Sequence, residues 1–212
     1  ISVSAFLLNR SSDLDLGGLM SNILHITSPM PPSVNHYMGY RMISSGGKPL
    51  AVQYTTNEAK KYQKNFGEIV IDAVERQGWN VPIDTKQHFY VDAVFYFPRA
   101  RMDCNNYWKV MLDAITHTQR IWMDDDVVCE RAQAIFYDAK NPRIELTIHP
   151  VDYIGVFENS SQLDEFESNC IGCNRYTRNC SILRNAKSGR IQDEINGTKC
   201  SKFKPKKENK EN

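Results

Sequence analysis

HFYVDAVFYFPRARMDCNNYWKVMLDAITH, residues 88–117, changes its period part-way along, and that change decides the fold. In the first ten residues Phe89, Val91, Ala93, Phe95 and Phe97 alternate with Tyr90, Asp92, Val94 and Tyr96. A period of two marks a strand with one buried face. Pro98, which has no amide proton for a sheet ladder, closes it. From Asn105 onward Tyr107, Val110, Met111 and Ala114 recur at spacings of three and four, which predicts a helix over 105–117. Asn105, Asn106, Lys109 and Asp113 fall on its more polar sides, and Asp103 stands just before its first turn.

Working outward from this strand and helix, residues 22–27 alternate as a first strand, and the proline-rich 28–32 stops it. A loop carrying Asn35, His36 and Tyr37 follows. The Gly46-Gly47 pair predicts a turn between strands over 40–44 and 49–54. Thr56 is placed to cap a long helix reaching about Gln77, with Tyr62, Phe66, Ile69, Val70 and Ala73 on one face and Gly78 as its stop. Downstream, strands over 130–137 and 143–149 are joined by the turn-forming 138–142, which predicts a terminal hairpin. The sum is a mixed α/β (α+β) domain, a mixed sheet with two principal helices. Residues 152–168 are acidic and aperiodic, as expected of a linker. The resulting division is a leader over 1–19, the main domain over 20–151, a linker over 152–169, a cysteine module over 170–201 and a basic disordered tail over 202–212.

With 212 residues, 41% hydrophobic and 24% charged, the chain falls in the soluble globular range. No apolar run approaches the roughly 18 to 20 residues that cross a bilayer, so a soluble protein is expected. The missing basic leader, with Asp13 and Asp15 close behind residues 5–8, argues against a signal peptide. Gly17-Gly18-Leu19 before Met20 is what a translated ribosome-binding sequence would give, so Met20 is the expected start. The net charge of +1 hides an asymmetry: residues 170–212 hold 11 Lys or Arg against 4 acids, leaving 15 against 21 in the rest. Such a basic end is either a solvated tail or a phosphate-holding segment.

The acids concentrate at both ends of the second helix, at Asp103 and in IWMDDDVV, residues 121–128. Hydrolysis of a phosphodiester calls for Mg²⁺ or Mn²⁺ held by oxygens, and Asp103 and Asp125 are candidates for opposite walls of such a site. The bland alternative is that Asp103 caps the helix and residues 124–126 form a solvated turn. Arg99 and Arg101 would bring positive charge beside the acids, where a phosphate backbone must approach. Asn35, Tyr37 and Arg41 are expected on the same phosphate-facing surface with His36, against the alternative of an ordinary loop. His36 alone is not convincing as a metal ligand.

Over nearly all of residues 23–149 the order of parts resembles the RusA family of Holliday junction resolvases. Pro31-Pro32-Ser33-Val34-Asn35 is similar to the family's Pro-Pro-x-x-Asn loop. Residues 103–113 match its Asp-x-Asp-Asn-x-x-Lys-x-x-x-Asp core, and Asp124-Asp125 match its later acidic pair. The resemblance implies that Asp103 and Asp125 bind metal, that Asp124 and Asn105 assist, and that Lys109 contacts the scissile phosphate. An exposed Lys109 that only solubilises its helix is the plain alternative, and Asp113 would support Lys109 through an ion pair one turn away. It also implies a homodimer acting on branched DNA in recombination and repair, in phage or bacteria. One departure stands out: the second acid of the core is Asn105 here, so a charged ligand becomes a neutral carbonyl donor, which Asp126 would partly replace.

Four of the six cysteines, Cys170, Cys173, Cys180 and Cys200, lie outside that resemblance. Their number suits a closed tetrahedral zinc site, and Cys170-x2-Cys173 has the spacing of a zinc knuckle. An iron–sulfur cluster would also accept four thiolates, whereas disulfides would need an oxidising compartment. Cys104 and Cys129 read as buried thiols acting as small hydrophobes. The function expected is a Mg²⁺-dependent, structure-selective endonuclease. The competing reading is a catalytically weakened DNA-binding protein that grips DNA through its basic cysteine segment, and a small-phosphoester hydrolase is disfavoured by the lack of a glycine-rich phosphate loop.

Overall fold

The structure is a computed structural model that describes residues 23–206 apart from Asn179, so the expected leader with its Met20 start and the end of the tail lie outside the described residues. Among those described, no helix is long and apolar enough to cross a membrane.

Leu24, Ile26 and Ser28 turn inward from strand β1 (Leu24–Pro29), and the buried Ser28 hydroxyl is satisfied by the Tyr62 hydroxyl at 2.7 Å. The strand continues to Pro29, past the expected stop, because it lies at a sheet edge where a missing amide proton costs no ladder bond. A single helical turn, α1 (Val34–Tyr37), leads into the paired strands β2 (Met38–Ser45) and β3 (Lys48–Thr55). Gly46 and Gly47 both have positive φ, 57° and 76°, as the tight hairpin turn requires. Helix α2 (Asn57–Arg76) begins as expected at Thr56, whose hydroxyl accepts the Ala59 N–H, and ends before Gly78.

Strand β4 (His88–Phe97) sends Phe89, Val91, Ala93, Phe95 and Phe97 into the core, and helix α3 (Asn105–Thr118) follows. A short 3-10 turn, Asp125–Val127, precedes β5 (Val128–Tyr137), and β6 (Arg143–Val151) completes the sheet in the order β1-β6-β4-β5. Strands β5 and β6 therefore do not form the expected hairpin, because β4 lies between them. The turn arches over the end of β4, and the Asp138 N–H bonds to the Phe97 carbonyl at 2.8 Å. Since β4 and β5 run parallel, α3 is the crossover that parallel strands require. Faces of α2 and α3 join the sheet's inner face in one core with Phe66, Met111, Trp122 and Leu146.

Asp92 crosses the outer face as a clasp. From β4 it accepts two bonds from Arg131 at 2.6 Å and one from Gln133 at 2.6 Å, both on β5, and meets His149 Nε2 of β6 at 2.7 Å. Burial alone would raise its pKa, but these partners hold the carboxyl below its ordinary value.

Residues 85–88 and 151 onward form a second unit. Here the expected linker is replaced by structure: helix α4 (Ser160–Ile171) starts at Asn159, whose side chain accepts the Gln162 N–H, and Phe157 and Phe166 are buried with Ile182 and Ala186. The reading as a linker failed because this small core needs only a few apolar residues, too few to show a period. Helix α5 (Ile182–Lys187) and the two-residue strands β7 (Ile195–Asn196) and β8 (Lys199–Cys200) follow. His88 stacks on Tyr153 at 3.7 Å, and Gln87 donates to the Val151 carbonyl. Residues 202–206 of the expected disordered tail are held to the second unit, with bonds from Asn174 N–H to Lys204 O and from Lys206 N–H to Gly172 O.

Candidate active site

Helix α3 presents Asn105, Lys109 and Asp113 at successive four-residue steps, one face of one helix. Its start is fixed by Asp103, whose carboxylate accepts the Asn105 N–H at 3.0 Å. At its other end Gln119 takes a left-handed conformation (φ 52°) and its side chain ties the Thr116 and Met123 carbonyls together. Ile121 and Trp122 are then buried almost completely, and the Trp122 indole donates to the Thr116 hydroxyl at 2.8 Å. That burial turns the chain back along α3 and brings Asp125 to Lys109 and Asp113, more than ten residues earlier.

Lys109 pairs with Asp113 at 3.3 Å, and the other oxygen of Asp113 accepts the Tyr37 hydroxyl at 2.6 Å. Gln63 of α2 in turn donates to that hydroxyl at 3.1 Å. Burial, and then Asp113, push the Tyr37 hydroxyl up to about 12, so it stays a donor. Thr56 anchors the Tyr37 turn from below: its hydroxyl donates to the His36 carbonyl and its N–H to that of Tyr37.

Burial also raises the Asp125 carboxyl above its ordinary value, followed by a hydrogen bond with Asp124 and the charge of Asp113, against which Lys109 alone pulls down. Glu130 at the start of β5 is raised by desolvation around its carboxyl and by Asp125. Carboxylates thus outnumber cations around Asp125 among the described residues. Hard oxygen donors carrying unbalanced negative charge suit Mg²⁺ or Mn²⁺, so the chemistry of the set fits such an ion. Among the described residues, however, no three acidic, His or Cys side chains already stand around one point at metal-holding spacing.

Residues 29–149, more than half of the chain, match the family described as Endodeoxyribonuclease RusA. The chain belongs to the RusA family. It is 29% identical over 127 residues to the crossover junction endodeoxyribonuclease rusA of Enterobacteria phage 82, a span covering 60% of this chain and 94% of that protein. A nuclease of this family is a hydrolase acting on DNA.

Of the expected site residues of this RusA member, Asp124, Asp125, Lys109 and Asp113 come together. Asp103 and Asn105 are at the start of α3, where Asp103 is exposed and accepts the Asn105 N–H, and the expected pair of walls from Asp103 and Asp125 is not closed into a ligand set. Arg99 and Arg101 are exposed on the loop before Asp103, Arg101 with a φ of 64°, and burial raises the Tyr107 hydroxyl above its ordinary value against the charge of Arg99, with Asp103 adding to the rise. Asn35 and His36 are exposed on α1, and Arg41 of β2 stands 5.8 Å from the Tyr54 ring centre. Tyr37 corrects the expectation of a DNA contact: it is buried, and its hydroxyl faces Asp113 rather than solvent. Glu130 and Gln63 had no motif to announce them, since both depend on contacts between distant elements.

The four cysteines outside the RusA match line one cavity of about 190 Å³ in the second unit, with Phe166 and Phe203. All six cysteines are free thiols, and Cys129 is exposed rather than buried as expected. Burial, then Cys200, Cys180 and Cys173, push the Cys170 thiol up to about 11. Cys173 goes the other way. Burial would raise it, but the backbone N–H groups of Lys204, Arg175 and Tyr176 more than offset this, the first at 3.4 Å from its sulfur.

Proposed function

We propose that the chain is a divalent-cation-dependent, structure-selective endodeoxyribonuclease that cuts four-way (Holliday) junctions as a homodimer in the cytoplasm. The observation that carries this reading is the Asp124–Asp125–Asp113 cluster around a single lysine. Its carboxylates repel one another, and Lys109 supplies positive charge beside them for a phosphate. The name of the phage 82 relative supports the junction as substrate.

On this reading Asp125 and Asp124 hold Mg²⁺ or Mn²⁺, with Asp103 and Asn105 completing the set from the start of α3. An ion held by these residues would supply an activated water and offset charge on the leaving oxygen. Lys109 supplies a fixed positive charge to the phosphate as negative charge develops on it. Asp113 holds the Lys109 ammonium one turn away, and Tyr37 and Gln63 hold Asp113. Arg99 and Arg101 offset the acids' repulsion of the DNA backbone.

A second reading, a RusA-fold protein that binds DNA without cutting it, is favoured by one observation: Asn105 replaces an acid while Asp103 spends an oxygen on its own helix. Incubating purified protein with a synthetic four-way junction and Mg²⁺ or Mn²⁺, beside duplex DNA and Asp125→Asn, separates them. Paired symmetric nicks that vanish in Asp125→Asn are the expected result. Tight binding without nicks would establish the second reading, and neither binding nor cutting would remove both.

A further inference from the structure

The cavity of the second unit is lined by four thiols that belong to three separate pieces of chain: the end of α4 (Cys170, Cys173), the approach to α5 (Cys180) and β8 (Cys200). A small core of four buried residues, Phe157, Phe166, Ile182 and Ala186, is thin support for these short pieces. Domains of this size commonly gain stability from a metal or disulfides. Disulfides are absent, since every thiol is free.

We propose that Cys170, Cys173, Cys180 and Cys200 bind one structural zinc ion, which closes the second unit.

Three features of the cavity support this ligand chemistry. Four thiolates around Zn²⁺ leave a net charge of about −2, which must be balanced locally. Arg184 and Lys202 line the cavity and supply positive charge. The turn after Cys170 folds as a knuckle: Cys173 N–H bonds to the Cys170 carbonyl at 2.9 Å, Tyr176 N–H to the Cys173 carbonyl, and the Lys204 N–H is aimed at the Cys173 sulfur. Backbone donors directed at a sulfur are the outer-shell pattern that stabilises a metal-bound thiolate. The opposite side is a second turn, with β7 and β8 joined through Gly197 (φ 58°) and the Phe203 N–H bonded to the Cys200 carbonyl.

Among the described residues no three Cys, His or acidic side chains already stand at metal-holding spacing, so metal uptake would draw the four thiols together and expel their protons. Zinc binding is accordingly a folding step for this unit. All three tryptophans, Trp79, Trp108 and Trp122, fall outside it, so their fluorescence reports only the nuclease unit.

The test is metal analysis of the full chain purified without added metal, beside Cys173→Ser, Cys200→Ser and a Cys104→Ser/Cys129→Ser control. About one zinc per chain is expected in the parent and control, falling at least about tenfold in each single variant while the tryptophan emission stays native. Should a variant fail to fold, Co²⁺ added to chelator-stripped parent protein keeps the question open to decision, because four thiolates give an intense sulfur-to-cobalt charge-transfer band. Iron with inorganic sulfide in place of zinc would overturn the proposal, as would a metal-free parent that shows no such band. These readouts do not depend on DNA cleavage, so the proposal stands or falls separately from the nuclease reading.

Discussion

Tyr37→Phe removes a single oxygen, the one that donates to Asp113. A hydrogen bond to a charged acceptor in a half-buried site contributes about 1–2 kcal/mol, so the variant should lose that much stability in urea unfolding. It should also cut junctions more slowly while binding them as before, because Lys109 is less firmly held. Asp125→Asn should act in the opposite sense on stability. The folded-state pKa of Asp125 is raised, so the contribution of this group is present below its unfolded value near 3.8 and is lost as pH rises through the folded value. At neutral pH the charged side chain therefore costs stability, and its neutral replacement should stabilise metal-free protein slightly, by less than about 1 kcal/mol of unfolding free energy given its partial exposure. Cutting should disappear in the same variant. Asn105→Asp should increase cleavage at limiting Mg²⁺ by adding a charged ligand; an unchanged Mg²⁺ dependence would show that position 105 does not meet the ion.

At the scale of elements, the Asp92 clasp ties β4 to both of its neighbours. Asp92→Asn leaves Arg131 without its anionic partner, and a loss of about 2 kcal/mol is expected. Because the folded pKa of Asp92 is depressed, its contribution is present above the unfolded value and lost as pH falls through the lower folded one, so in a pH titration of unfolding the parent and variant curves should converge below about pH 4. The long elements were legible in the sequence because one period governs each: α2, α3 and β4 fall where the apolar spacing puts them. The placing of β4 between β5 and β6 was not legible, since a short turn such as 138–142 predicts neighbours and only the crossover through α3 denies it. Helix α4 was missed for lack of apolar residues, and the role of Tyr37 because a tyrosine after a proline-rich loop looks the same in sequence whether its hydroxyl meets DNA or an aspartate. The acidic face formed by Asp113, Asp124 and Asp125 was legible in residue type, but its geometry depends on burial of Ile121 and Trp122.

For the whole molecule, the two units hold separate hydrophobic cores. Tryptophan fluorescence follows only the larger, while far-UV circular dichroism follows both. Thermal unfolding recorded by the two probes should therefore diverge, and a chelator should move the dichroism transition alone. Coincident transitions at every chelator concentration would show instead that the units unfold as one.

The sheet order also governs when the nuclease unit can be finished during synthesis. Its first strand pairs with its last, Leu24 opposite Ile148, so β1 waits for most of the chain before it finds a partner. Pairing across such a separation slows folding, and until β6 emerges from the ribosome the Leu24 and Ile26 face stays uncovered. Early pauses in translation, or nonsense products ending before residue 143, should expose that strand to aggregation and to chaperones, whereas products ending beyond Val151 carry all four strands described for the sheet.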